Sequence, residues 1–394
     1  MSHAPRRRTR LLQFAAAASL VIATAGCSGG LGGGGDDGGS DDGPIKLGML
    51  APFSGSESAF GEYMQNGAQL AVDELNADGG VLGRDLELVV EDDACDATTA
   101  VAGANKLVTD GIAASVGGYC SGATLPTLPI FDEAGIPMVI PAANSNELVE
   151  QQLPGVFLIN GTGTQQAQAA VAYSEKIGAS SVAAIDDATA YSADLAASFV
   201  EQATDAGLDV AFEATITPGE NDYSAVATQL ANEQPALVYW TGYYQEGGLI
   251  ARQAKDAGFD GVFLVGDGSV DAKFAEIAGD GYTDNVVGTF TQTPDMIEGA
   301  DEWIADYTEL AGAAPGPYST QSYDAVRVIA QAMEDAGSTD FDEVVAGLEG
   351  LEDFDTFAGP LTFTDDHTLS GGGFVIVAID PATGAFVLKD DLQG

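Results

Sequence analysis

The strongest constraint on the fold is a regular alternation of strand-like and helix-like segments that begins near residue 45. In the predicted helices apolar side chains recur at helical spacing, as Ala68, Ala71, Val72 and Leu75 do. The first run of the pattern consists of strands at 45–50, 86–90, 112–116 and 138–141 and helices at 61–76, 97–109 and 121–134. Such alternation predicts an α/β fold in which right-handed helical crossovers join parallel strands of a doubly wound sheet.

The pattern starts again after Gly161 without a long linker, which predicts a second, similar lobe rather than one large sheet. Two more helices are expected at 301–311 and 322–336, and a final hairpin from the strands at 374–379 and 385–389. The second run consists of helices at 165–177, 192–206, 223–232 and 247–257 and strands at 181–186, 210–215, 236–240 and 261–265.

The first 44 residues are expected to direct export and to lie outside the folded body. Four arginines precede an apolar run at 11–25 that is too short to span a bilayer, so residues 1–26 are predicted to be a signal peptide. The run ends in a sequence that resembles a bacterial lipobox, although Thr24 stands where leucine is usual. In a lipobox the cysteine, here Cys27, carries diacylglycerol and becomes the first mature residue. The alternative is an ordinary signal peptide that ends near a cysteine.

Residues 27–44 are rich in glycine, serine and aspartate, and such a segment cannot bury enough apolar surface to fold. We expect it to be a flexible tether between a lipid on Cys27 and the folded body. The protein would then be exported and anchored to the outer face of the cytoplasmic membrane.

The balance of charge is strongly acidic. The chain has 60 acidic and 13 basic residues, and four of the basic residues belong to the leader, which leaves nine in a mature chain of net charge −51. Binding to nucleic acid needs lysine and arginine, so this class of partner is excluded. We interpret the charge as a solvated acidic surface suited to a salty habitat.

Candidates for catalysis are scarce. The two histidines, His3 and His367, lie in the leader and in a late polar segment. The sequence therefore gives little support for a catalytic triad, a histidine general base or a histidine metal site. Gly161 and Gly163 lack the third glycine of a dinucleotide fingerprint. Residues 91–93 could bind a cation, but a solvated acidic strand end is the favoured interpretation. No enzyme activity, cofactor or metal is expected.

Two loops at the ends of predicted strands are the best candidates for a binding site, because open α/β sheets bind ligands there. Residues 116–121 run from a strand into a helix that begins at Ser121, where a hydroxyl and free N–H groups suit an anion. Residues 140–145 repeat this arrangement one strand later. The two ends could together hold one carboxylate, or Ser121 could be a helix N-cap only.

Several separated motifs closely resemble the leucine/isoleucine/valine-binding proteins, which are type I periplasmic binding proteins of ABC importers. The resemblance extends from residue 45 to about residue 336 and weakens after that. The motifs that carry it are residues 76–84, 92–96, 104–108, 120–121 and 141–143.

The resemblance implies a disulfide and a site for the carboxylate of an amino acid. Cys95 and Cys120 match the cysteine pair of the family, which agrees with the count of two cysteines that remain if Cys27 carries lipid. Two unpaired buried thiols are the alternative from the count alone. Ser121 matches the serine that binds the ligand carboxylate. Ala142 and Ala143 match residues whose backbone faces the ligand, and Asn144 replaces the usual threonine with an amide that can both donate and accept.

The other side of the expected site is aromatic and acidic. Asp267 stands where the family has a glutamate that pairs with the ligand ammonium, so the charge is kept and the reach is one methylene shorter. Each of these residues could instead serve packing or a turn. The aromatic residues expected around the ligand are Phe60, Tyr119, Tyr191, Tyr243 and Tyr318.

The implied architecture is two doubly wound, Rossmann-like lobes joined by a hinge of three segments near residues 161, 290 and 371. The amino-terminal lobe would comprise 45–160 and 291–370, and the carboxy-terminal lobe 161–290 and 371–394. A monomer would capture a branched-chain or similar amino acid by closure of the cleft and present it to the permease of an ABC importer. The same fold could bind an amide, urea or an aromatic acid, or serve as a nutrient sensor.

The acidic surface leads to a first prediction. We expect the midpoint of thermal unfolding of the mature protein to rise from dilute buffer to molar potassium chloride, because salt screens repulsion between carboxylates. Differential scanning calorimetry measures it. Equal midpoints in the two buffers would contradict a salt-adapted surface.

Overall fold

The computed structural model describes residues 43–291, 293–371 and 373–392. The predicted signal peptide, Cys27 and all of the tether except Gly43 and Pro44 lie outside these residues. No helix in the described ranges combines the length and the apolar character needed to cross a bilayer.

The first sheet has five parallel strands in the order β2-β1-β3-β4-β5. The strands are β1 (Ile45–Ala51), β2 (Leu86–Asp92), β3 (Ala114–Ser115), β4 (Met138–Ile140) and β5 (Val156–Leu158). The helices that follow them are α1 (Ser58–Ala77), α2 (Ala97–Asp110), α3 (Ser121–Thr124), α4 (Leu128–Glu133) and α5 (Glu147–Glu150). β1 lies between β2 and β3, with Leu47 opposite Ala114, and both side chains are fully buried.

The prediction of a single helix at 121–134 is wrong. The structure divides this stretch into α3, a 3₁₀ turn at Leu125–Thr127, and α4. Pro126 and Pro129 explain the division, since each lacks an N–H and is tolerated only near the start of a helical segment. The division leaves Ser121 at the start of a very short helix, directly after the loop that leaves β3.

The second sheet has seven strands in the order β14-β13-β10-β9-β8-β6-β7. The chain enters it through α6 (Gly163–Lys176), β6 (Ser181–Asp186), α7 (Ala190–Asp205), β7 (Asp209–Thr215), α8 (Ser224–Glu233), β8 (Leu237–Trp240), α9 (Tyr244–Ala257), β9 (Val262–Val265), α10 (Ala272–Ala278) and β10 (Val286–Phe290). The strands from β6 to β10 are parallel, so both sheets are of the predicted α/β kind.

The remaining elements return to both sheets. They are α11 (Asp301–Ala311), α12 (Ser319–Ala336), α13 (Phe341–Glu349), the short pair β11 (Phe354–Thr356) and β12 (Gly359–Leu361), and the hairpin β13 (Val375–Ile379) and β14 (Phe386–Asp390). The hairpin, predicted from sequence, adds to the second sheet through an antiparallel pairing of β13 with β10. α12 packs between α1 and α13, beside the first sheet. We call the first sheet with its helices and α11–α13 the first lobe, and the second sheet with α6–α10 the second lobe.

Close contact between α1 and α12 depends on one glycine. A β-carbon on Gly67 of α1 would lie 2.0 Å from the carbonyl oxygen of Ser319, the first residue of α12. Any side chain at position 67 would therefore push the start of α12 away. Tyr318, which precedes α12, is held in the left-handed region at φ 64° and is almost fully buried. The packing of α1 on α12 thus fixes where the ring of Tyr318 lies.

A disulfide joins Cys95 to Cys120, with 5.4 Å between the α-carbons. It connects the loop after β2 with the residue before Ser121, as the resemblance implies. The two cysteines are 25 residues apart in sequence, so the bond closes a loop of moderate length.

We predict that replacing both cysteines, Cys95→Ala with Cys120→Ala, lowers the free energy of unfolding by about 3 kcal/mol, because the bond restricts the unfolded chain. Urea titration in oxidising buffer measures the difference. A reductant should destabilise the wild type by a similar amount and leave the double variant unchanged. Equal stability of the two proteins without reductant would show that the bond does not contribute.

Candidate functional site

The carboxyl ends of strands from both sheets face one cleft between the lobes. In the first lobe, Tyr119 follows β3 and Asn144 follows β4. In the second lobe, Tyr191, Tyr243 and Asp267 follow β6, β8 and β9. The topology of parallel strands therefore brings together side chains that are widely separated in sequence.

Seven of the ten predicted binding residues line one cavity in this cleft. The cavity has a volume of about 10 Å³, which is the space of roughly one water molecule, so the lobes are closed on each other. Its lining is Tyr119, Ala142, Asn144, Tyr191, Tyr243, Asp267, Gly268 and Tyr318.

The other three predicted residues lie directly behind this lining. The ring of Phe60 stacks on Tyr119 with 4.5 Å between centroids and lies 6.0 Å from the ring of Tyr318. The Oγ of Ser121 accepts a hydrogen bond of 3.3 Å from the backbone N–H of Ser145. Ala143 donates its backbone N–H to the carbonyl oxygen of Gly118 at 3.0 Å, which joins the two loops of the first lobe.

The carboxylate of Asp267 is the centre of the hydrogen bonds in the cleft. Its Oδ1 accepts from the hydroxyl of Tyr191 at 2.7 Å, and its Oδ2 from the hydroxyl of Tyr318 at 2.6 Å. Oδ2 also accepts from the Nδ2 atoms of Asn144 and Asn160, at 3.2 and 3.4 Å. Tyr318 and Asn144 belong to the first lobe and Tyr191 to the second, so the carboxylate holds the lobes together.

Asp267 is 2% exposed, and within the described ranges no lysine, arginine or histidine forms an ion pair with it. Burial raises its pKa, and the hydrogen bonds from Tyr318 and Tyr191 only partly oppose this. Desolvation and the nearby Asp267 likewise raise the pKa of both tyrosines well above its usual value, so they remain neutral donors.

The glycines beside Asp267 allow Tyr191 to reach it. A β-carbon on Gly266 would lie 2.4 Å from the hydroxyl oxygen of Tyr191, and one on Gly268 3.0 Å from its ring. The sequence Gly-Asp-Gly, which alone suggests only a turn, is thus required by the contact between Tyr191 and Asp267. Trp240 supports the opposite wall, because its Nε1 donates to the carbonyl oxygen of Tyr243 at 3.0 Å.

Four residues of the cleft were not predicted from the sequence. Asn160 donates to Asp267 and to the carbonyl oxygen of Ala142, and the Oε1 of Gln166 accepts from Asn144 at 2.9 Å. Gly268 lines the cavity, and Glu57 is buried next to Phe60, whose backbone N–H bonds to its carbonyl oxygen. Asn160 carries a weak sequence signal, since it is the first polar residue after the apolar β5 and Ile159.

Further contacts close the lobes outside the cavity. Asn146 of the first lobe donates from its backbone N–H and from its Nδ2 to the carboxylate of Asp194 in α7, with three distances of 3.0 to 3.1 Å. The hydroxyl of Tyr244 in α9 donates to the carbonyl oxygen of Ser56 in the first lobe. The closed arrangement is therefore supported by pairs that leave the ligand region free.

Comparison with known proteins identifies the family. A family model described as periplasmic binding protein matches residues 44–383. The Leu/Ile/Val-binding protein BraC3 of Rhizobium johnstonii is 35% identical over 334 residues, which cover 84% of this chain and 90% of that protein. The chain belongs to the leucine/isoleucine/valine-binding family of type I periplasmic binding proteins.

Other members of the family agree with this assignment. The leucine-, isoleucine-, valine-, threonine-, and alanine-binding protein of Pseudomonas aeruginosa is 32% identical over 336 residues, covering 84% of this chain and 89% of its own. The branched-chain amino acid transporter substrate-binding protein LivJ of Streptococcus pneumoniae, solved in complex with isoleucine, is 28% identical with a TM-score of 0.79. It covers 88% of this chain and 100% of its own.

Family membership confirms the predicted fold of two α/β lobes and implies an exported protein.

A cation site was considered for the acidic stretch at the end of β2, but its side chains have other partners. The Oδ1 of Asp92 accepts from the backbone N–H groups of Phe53 and Ala94, and Glu91 pairs with Lys106. Asp93 is 1% exposed, so the stretch is not simply solvated as expected. Among the described residues, no group of acidic, histidine or cysteine side chains could hold a metal ion.

The buried Glu57 gives a prediction about pH. Burial raises its pKa from 4.5 to about 8, so the folded protein retains a proton that the unfolded chain releases between these values. The free energy of unfolding of the wild type should therefore fall, relative to that of Glu57→Gln, as the pH rises from about 5 to about 8. Denaturant titrations at both pH values measure the difference.

The exposed Glu62 of the same helix provides the control, because Glu62→Gln should track the wild type at both pH values. A stability difference between wild type and Glu57→Gln that does not change with pH would contradict a buried, protonated Glu57.

Proposed function

We propose that the protein captures a branched-chain or similar α-amino acid by closure of the cleft and delivers it to an ABC importer. The observation that carries the proposal is the buried carboxylate of Asp267, which has neutral donors from both lobes and no cation among the described residues. A buried carboxylate without a counter-charge is costly, and the ammonium group of an amino acid supplies that charge.

The first lobe supplies the site for the ligand carboxylate. The first N–H groups of a helix have no acceptor within it, so those of Ser121 and Gly122 are free of helical partners. The hydroxyl of Ser121 lies beside the backbone N–H of Ser145 from the next loop. These neutral donors would bind a carboxylate opposite the acidic group of the second lobe.

Binding then depends on opening and closing of the lobes. The cavity in this structure is too small for an amino acid, so a ligand enters when the lobes are further apart, and the lobes then close over it to a cleft wider than the one seen here. Enclosure removes water and strengthens the contacts between charges. The closed surface is what a permease would recognise, and the named relatives support this role, since LivJ is a substrate-binding protein of a transporter.

The finer features follow the same proposal. The protein is a monomer exported under the signal of residues 1–26, cut before Cys27, and tethered by a lipid on that cysteine. The lobes comprise 45–160 with 291–370 and 161–290 with 371–394. No bond is made or broken in the cleft, and the binding residues are the ten predicted side chains together with Asn160 and Gly268.

The proposal predicts that Asp267→Asn weakens binding by about 100-fold or more, because the near-isosteric amide removes the charge that pairs with the ligand ammonium. Ser121→Ala should weaken it by about tenfold through loss of one hydrogen bond to a carboxylate. The ligand used is the amino acid that raises the unfolding midpoint of the wild type most in a screen of the common amino acids. Isothermal titration calorimetry gives the affinities.

Asp205 lies exposed at the end of α7, away from the cleft, and Asp205→Asn is the matched control with unchanged affinity. Wild-type affinity in a folded Asp267→Asn variant would disprove the pairing with an amine. A screen in which no amino acid shifts the midpoint would disprove the proposed function as a whole.

A further inference from the structure

A second buried carboxyl group, that of Glu57, lies where the two lobes meet, because the neighbouring Ser56 accepts a hydrogen bond from Tyr244 of the second lobe. Glu57 directly precedes α1 and is 4% exposed, and its Oε2 has no hydrogen-bond partner. The backbone N–H of Phe60 donates to the carbonyl oxygen of Glu57 at 3.0 Å, so the acid lies one turn before the ring that stacks on Tyr119. Glu57 is therefore close to the aromatic side of the site.

Tyr119 presents the second polar atom without a partner. Its ring is 6% exposed and lies 5.7 Å from Tyr318 and 6.2 Å from Tyr243, centroid to centroid. Its buried hydroxyl makes no hydrogen bond, although the hydroxyls of Tyr191 and Tyr318 both reach Asp267. Phe60 connects the two residues, since its backbone N–H bonds to Glu57 and its ring stacks on Tyr119. Burial raises the pKa of Tyr119 well above its usual value, and the carboxyl group of Glu57 adds to the rise.

The surroundings of Glu57 satisfy its carboxyl group only in part: the side chain of Ser56 hydrogen-bonds to it, but Oε2 has no partner. The charged residues that act on it from the second lobe are Glu246 of α9, Asp271 before α10 and Lys273 of α10. Lys273 is the one cation of the three, and its ammonium group lies 5.9 Å from the ring centroid of Tyr244 without forming an ion pair with Glu57. A buried acid and a buried hydroxyl therefore both adjoin Phe60, and each has an oxygen without a partner.

We propose that Glu57 and Tyr119 form a second polar end of the cleft, which binds a hydrogen-bond donor at the end of the ligand side chain. The inference rests on the proposed function and narrows its ligand class from branched-chain and similar amino acids to those whose side chain ends in a carboxamide or an ammonium group. A purely aliphatic side chain would leave Oε2 of Glu57 and the hydroxyl of Tyr119 buried without partners, which is unfavourable for both polar groups.

Leucine and asparagine provide the decisive comparison, because their side chains branch at the same carbon and are similar in shape, yet only asparagine carries donors. We expect calorimetry to give wild-type affinity for asparagine or glutamine, or for ornithine or lysine, at least tenfold above that for leucine, isoleucine and valine. The first pair tests the carboxamide and the second the ammonium group. A higher affinity for the three aliphatic amino acids than for all four donors would overturn the inference.

Two variants test the residues themselves. Tyr119→Phe removes one hydroxyl, and Glu57→Leu removes the acid. Each should lower the ratio of the affinity for the preferred donor-bearing ligand to the affinity for leucine about tenfold or more. Glu57→Gln retains the shape of the side chain and is the variant to measure if Glu57→Leu does not fold. Glu62→Gln, in α1, is the control and should bind like the wild type.

The outcomes separate this inference from the proposed function. Unchanged selectivity in folded Glu57→Leu and Tyr119→Phe, together with loss of all binding in Asp267→Asn, would overturn the second polar end and keep amino-acid capture. Loss of the preference for donors in the two variants, with the effect of Asp267→Asn intact, would support both.

Discussion

A buried carboxylate that lacks a cation is the constraint on which the cleft depends. Asp267 draws hydroxyl and amide donors from both lobes, yet burial still raises its pKa. Neutral donors offset only part of the cost of removing a charge from water. In the proposed function an amine enclosed with Asp267 would remove the rest, together with Tyr318 and Asn144 of the first lobe. Ligand binding and lobe closure would then be stabilised by the same contacts.

Topology explains why these groups meet, and small residues explain how closely. Parallel strands with helical crossovers place the loops after β3, β4, β6, β8 and β9 at the facing edges of the two sheets. Within that arrangement Gly266 admits the hydroxyl of Tyr191, and Gly67 admits the start of α12, which carries Tyr318. The two hydroxyls that hold Asp267 thus depend on positions where no β-carbon fits.

Much of the fold could be predicted because apolar periodicity is local. The helix expected at 301–311 has those bounds in the structure, and the hairpin lies within one residue of its predicted ends. The prediction of one helix at 121–134 was wrong because Pro126 and Pro129 interrupt a stretch whose apolar spacing suggests a continuous helix. In the site, motifs identified the residues at strand ends. Glu57 was missed, since a single glutamate among serines looks like any surface acid, and only tertiary packing buries it.

The acidity of the chain has opposite consequences for the two ends of an amino acid. With 60 acidic against 13 basic residues, the field of the protein attracts an ammonium group and repels a carboxylate. Net charge therefore favours any amine at the cleft, whereas the carboxylate of the proposed ligand would have to be held by short-range donors, the first N–H groups of α3 and the hydroxyl of Ser121. Salt screens the first effect more than the second, because buried hydrogen bonds are screened least. In the proposed function, selection for an amino acid over a simple amine would accordingly come from the loop between β3 and α3, which the disulfide of Cys95 and Cys120 holds in place.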